Sequence, residues 1–128
     1  MATRSKAKAE MREANKDRRP KAIAKYIRIS PSKVQVVLDL IRGKDYKDAV
    51  AVLKTTAKAA AEPVLKCMNS AAANAEVNLG MNKDVLYVAE CFADQGPTLK
   101  RMQPVSRGRG YRILKRTSHI TVILDERA

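Results

Sequence analysis

The chain has 128 residues and carries 26 Lys and Arg against 13 Asp and Glu, for a net charge of +13 and a pI near 10.1. That is one domain's worth of protein, and 45% hydrophobic residues are too many for a wholly disordered chain. No run approaches the 18 or so apolar residues of a membrane span, and Cys67 and Cys91, with no second pair, argue against a disulfide framework or a zinc cluster and fit a reducing cytosol.

Residues 1–20 are polar, rich in Lys and Ala, and lack a sustained apolar face. They have no apolar core for a secretory signal, and Glu10, Glu13 and Asp17 speak against a transit peptide. They read as a basic tail ending at Pro20, able to become helical when bound. The globular domain is assigned to 21–128. Its first element, 21–29, reads as a strand with Ile27 and Ile29 on one face and Arg28 on the other.

Ser30-Pro31 opens a helix, with Ser30 able to cap it and Pro31 suited to its first position. Val34, Val37, Leu38 and Ile41 follow at i, i+3, i+4, i+7, and Gly43 stops the helix. Asp45 is expected to cap a short second helix with Tyr46, Ala49, Val50 and Leu53 inward. A third helix is expected from about Ala57 to Leu79, ending at Gly80, with Pro63 kinking it or shortening its front. Ala71, Ala72 and Ala75 would let another element approach closely, and Asn74 and Asn78 share a face that a partner or solvent could satisfy.

Residues 84–93 and 113–124 read as strands, the second with Leu114, Ile120, Val122 and Leu124 in one register. Val88, Phe92, Ile120 and Val122 are expected in the core. Between the strands, 94–112 holds two Pro, three Gly and few apolar residues. Strands joined this way suggest an extended antiparallel hairpin whose tip reaches on the order of 30 Å from the domain. The expected class is α+β: three helices packed on a small three-stranded antiparallel sheet, with a long extended β-hairpin. The aromatic residues are four Tyr and one Phe, so the core must be aliphatic.

Charge is segregated along the chain. Residues 1–33 carry +8, residues 34–98 carry −1 and residues 99–128 carry +6. No acid lies between Asp94 and Asp125, a window that holds Lys100, Arg101, Arg107, Arg109, Arg112, Lys115 and Arg116. Like charges at that density repel unless something negative lies beside them. Arg outnumbers Lys there, and its planar fork suits phosphates and bases better than a lipid surface. A nucleic acid is the expected partner. Tyr111 could stack on a base, and Met102 either packs within the hairpin or wedges between bases.

No catalytic constellation is visible. The single His119 sits within a predicted strand, and there is neither a phosphate-binding Gly loop nor a pair of carboxylates placed for acid–base work. No cofactor, metal site or enzymatic activity is expected. A DNA-bending arm protein and a hydrolase built on His119 are the competing readings. The first would require a tight dimer and the second turnover abolished by His119→Ala.

Four stretches occur in order: RISPSK from Arg28, IRG from Ile41, SAAANAE from Ser70 and KRTSHIT from Lys115. In these the chain resembles the universal large-subunit ribosomal protein twenty-two family, bacterial type, over roughly 21–125. The resemblance implies a cytoplasmic, non-catalytic constituent of the large ribosomal subunit. It would bind 23S-type ribosomal RNA early in assembly, with neighbouring large-subunit proteins as further partners. The RNA contacts would fall to Arg28, Lys33, Lys100, Arg101, Arg107, Arg109, Arg112, Lys115 and Arg116. Leu99, Lys100, Arg101, Met102, Gln103, Pro104, Val105 and Ser106 would line the peptide exit tunnel near the nascent peptide. The tip departs from the family pattern, with Val105 where an Arg is expected and Gly110 where an Ala is.

Overall fold

The computed structural model describes residues 3–127; Met1 and Ala2 of the tail and Ala128 of the domain lie outside the described residues. The elements run α1 (Thr3–Ala14), β1 (Lys21–Ile27), α2 (Pro31–Ile41), α3 (Tyr46–Thr55), α4 (Ala61–Leu79), β2 (Leu86–Gln95), β3 (Leu99–Pro104), β4 (Gly110–Lys115) and β5 (Ser118–Glu126). The class is α+β. One more helix is described than the three expected, because α1 forms within the basic tail and buries no residue.

β1, β5 and β2 form an antiparallel sheet in that order, with β5 central. α2 and α4 lie on the sheet, and α3 packs against both. The apolar stripe read from the sequence is the heart of the core: Val34, Val37, Leu38 and Ile41 are fully buried. Ser30 and Asp45 sit at the cap positions of α2 and α3 with extended backbone, yet neither side chain makes a capping bond, so at α2 Pro31 in the first helical position carries the start signal. α4 begins at Ala61 rather than Ala57. That places Pro63 in the first turn, where the missing N–H costs nothing. Ala71, Ala72 and Ala75 are buried, and Asn74 Nδ2 donates to the Lys21 carbonyl at 3.0 Å, so this Asn ties α4 to β1 rather than meeting a partner. Gly80 closes the helix at φ 65°, a left-handed position that glycine fills without strain.

Two expectations fail in the strands. Phe92 is 41% exposed, whereas Val88, Ile120 and Val122 are fully buried. A bulge in β2 is the reason: Val88 pairs with Leu124 and Glu90 with Ile123, leaving Ala89 without a counterpart. The extra residue inverts the alternation, so Cys91 and Ala93 turn inward and Phe92 turns out. The second failure is the continuous strand 113–124. It breaks at Arg116-Thr117, and Ile113, Leu114 and Lys115 belong to a separate two-stranded ladder, β3–β4, so Leu114 is exposed and out of register with Ile120.

Candidate nucleic-acid interface

β3 and β4 form a ribbon paired from Leu99↔Lys115 to Pro104↔Gly110. Six pairs at roughly 3.3 Å per residue make a ladder of about 20 Å. Nearly every residue on it is exposed, including the apolar side chains Leu99, Met102, Tyr111 and Leu114. Directly opposed residues share a face. Leu99, Arg101 and Gln103 therefore lie with Lys115, Ile113 and Tyr111 on one face, and Lys100, Met102 and Pro104 lie with Leu114, Arg112 and Gly110 on the other. Each face carries two cations and neither has a protein layer over it. The Met102 terminal methyl lies over Gly110, where a Cβ would come 2.8 Å from it, and the rest of the side chain is exposed.

The ribbon joins the domain through a narrow neck. The Gly96 N–H donates to the Thr117 carbonyl at 2.9 Å, and Thr117 Oγ1 donates to the Pro97 carbonyl at 2.6 Å. A Cβ at Gly96 would run into Thr117 Oγ1 and come within 3.2 Å of the His119 ring, so only glycine fits. At the far end Arg107 and Gly108 both take positive φ, 61° and 69°, as tight hairpin turns of the primed type demand. An Arg in that conformation costs about 1–2 kcal/mol relative to Gly. Arg107 and Arg109 thus stand at an exposed, strained tip, where Val105 N–H bonds the Arg109 carbonyl at 2.9 Å.

The turn after β1 and the root of the ribbon come together in space. Arg28, Lys33, Lys115 and Arg116 line one concavity of about 400 Å³ with Ile29, Ser30, Ala59 and Leu114. The structure therefore places the nine expected RNA-binding cations in two groups: these four at the root, and Lys100, Arg101, Arg107, Arg109 and Arg112 along the ribbon and its tip. All nine are exposed, and among the described residues none has a carboxylate within ion-pair distance. Four of the seven cations of the neutral centre behave differently. Arg42 pairs with Asp39, Lys47 with Asp84, Lys66 with Glu62 and Lys83 with Glu76.

One residue escaped the sequence reading. Tyr26 is 64% exposed at φ 59°, at an irregularity of β1 where the pairing with β5 skips from Ala24 to Ile27. Its backbone N–H donates to His119 Nδ1 at 3.0 Å, and the two rings meet edge-on at 5.0 Å. His119 thereby has a structural task. It also faces away from the cysteines, since its neighbour Ile120 points into the core beside Cys67. Both thiols are free and buried, and burial pushes each of them up from the ordinary cysteine value. Cys67 and Cys91 should therefore resist alkylation near neutral pH in the folded protein and react fully in denaturant; fast labelling of native protein would contradict this packing. Among the described residues no group of three or more His, Cys, Asp and Glu side chains could hold a metal ion, and no helix is long and apolar enough to cross a membrane.

The model of the family described as Ribosomal protein L22p/L17e matches residues 22–125. The chain is similar to the large ribosomal subunit protein uL22 of Clostridium novyi, at 57% identity over 84% of this chain and 97% of that one. The corresponding protein of Clostridium beijerinckii is 58% identical over 84% and 97%. That of Acetivibrio thermocellus is 58% identical over 84% and 86%.

Proposed function

The chain belongs to the ribosomal protein L22p/L17e family, a structural and non-catalytic component of the large ribosomal subunit, and from that footing we propose that its two cation groups clamp 23S-type ribosomal RNA. The root concavity grips one stretch of backbone while the ribbon passes between others. The observation that carries this is the contrast in pairing: every one of the nine exposed cations lacks a protein anion, whereas Arg42, Lys47, Lys66 and Lys83 of the neutral centre each have one. A ribbon with charge on both faces suits a channel with phosphates on two sides, not a flat surface. The strained Arg107 supports the same reading, because strain at a cation is tolerated where the side chain has something to hold.

Within this proposal the protein binds early, while the RNA is still open enough to close around the ribbon. Residues 99–106 then reach the peptide exit tunnel, beside the nascent peptide and neighbouring large-subunit proteins. The experiment is hydrogen exchange on the free protein and on purified large subunits. A two-stranded ribbon without a hydrophobic face is marginal in water, so the β3–β4 amides should exchange almost unprotected in the free state although they are paired. In subunits retained through a high-salt wash they should be strongly protected. Absence of the protein from washed subunits, or a ribbon equally open in both states, would refute the clamp.

A further inference from the structure

We propose that α1 is a second RNA-docking element, independent of the hairpin, which holds phosphates along a stripe formed by Arg4, Lys8 and Arg12. The proposal rests on the ribosomal RNA reading above and extends it to a segment that the family match, 22–125, does not cover. α1 buries none of its residues, so the domain's packing does not explain it. An isolated helix of 12 residues is marginal in water, and cations spaced i, i+4 destabilise it further unless an anion lies beside them.

The arrangement of charge is sided. Arg4, Lys8 and Arg12 recur every four residues and so fall on one stripe at steps of about 6 Å. Glu10 and Glu13 fall on the opposite side, together with Lys6, and Glu13 pairs with Lys16 at 3.9 Å. Among the described residues the three stripe cations have no ion-pair partner. Steps of that size are close to the spacing of successive phosphates along a strand. A lipid surface would need an apolar face, and Met11 is the only large apolar side chain on the helix.

The helix also has a fixed root. Arg19 bonds Asp17 at 2.8 Å and Glu90 of β2 at 2.8 Å, and the Pro20 carbonyl accepts from Leu124 N–H at 2.9 Å. Arg19 holds the Asp17 carboxyl down at about 2. A carboxyl depressed in this way keeps its contact at all pH above the ordinary carboxylate range and loses it as pH falls through about 2, so the root is intact wherever the protein works. Lys21 pairs with Ile123, while the hairpin leaves at Gln95 and Ser118, about 17 Å along the central strand. α1 and the hairpin therefore spring from opposite ends of the sheet and should touch separate stretches of RNA.

The test compares the full chain with the Arg4→Gln, Lys8→Gln, Arg12→Gln variant on 23S-type RNA. The log–log salt slope of the variant should be shallower by about 2–3, with an unchanged melting temperature, and a hydroxyl-radical footprint should be lost at a site distinct from the hairpin's. An unchanged slope and footprint would overturn the proposal. Protection of α1 that appears only when neighbouring ribosomal proteins are added would overturn it in favour of a protein partner. If the parent chain itself fails to bind RNA, the broader functional reading falls; parent binding with an indifferent variant sinks α1 alone.

Discussion

Replacing Leu38 or Ile41 by Ala should lower the stability of the domain by about 2–5 kcal/mol, a large share of the roughly 5–15 kcal/mol that holds a domain of this size together. Both side chains are fully buried on α2, in the cluster that joins the helices to the sheet. Few aromatic residues exist to fill the void, since the core is aliphatic and alanine-rich, and small neighbours collapse poorly around a cavity. Lys33 stands on the same helix but outside that stripe, exposed at the root concavity. Lys33→Ala should keep its urea midpoint and weaken RNA binding. Equal losses of stability from all three changes would contradict the assignment of helix faces.

The second large effect is on binding. The parent protein should lose about three to five decades of RNA affinity between roughly 50 and 200 mM salt, as 6–10 phosphate contacts require. Neutralising Lys100, Arg101, Arg112 and Lys115 together to Gln should reduce that loss by about two decades and leave the melting temperature unchanged, because the ribbon buries nothing. Two of the four lie on each face, so neutralising either face alone should give about half the effect. A variant that matched the parent at every salt concentration would show that the ribbon does not touch phosphate.

Local signals placed most of the domain. The spacing Val34-Val37-Leu38-Ile41 with Pro31 in front and Gly43 behind can satisfy only one helix, and the buried set is the one that spacing selects. The two strand errors share a cause. Alternation reports a face only while pairing stays in step, and neither the unpaired Ala89 nor the break at Arg116-Thr117 changes residue type enough to be seen. The charges of the interface were legible as composition, whereas their grouping was not. Arg28 and Lys33 lie more than eighty residues before Lys115 and Arg116, and only the β1–β5 and β3–β4 pairings bring them to one concavity. Tyr26 was invisible for a further reason: its positive φ comes from a strand irregularity held by a distant imidazole, and nothing near it in sequence announces that.

The two register slips add on the same side. The strand that leads into the arm carries Ala89 with no counterpart, inside the domain sheet, and between the Gly96–Thr117 contact and the Leu99–Lys115 pair the outgoing chain passes Pro97 and Thr98 while the returning chain passes only Arg116. One edge of the strip is thus longer than the other by two residues, about 7 Å of contour. A strip with unequal edges bows toward the shorter one, and bulges add twist to the bow. Unequal edges bias the arm to leave the domain bowed, so chain length as well as charge bears on its heading. Removing Thr98 would straighten the path and re-aim the tip while every cation stayed in place, so the shape of the arm and its electrostatics can be varied one without the other.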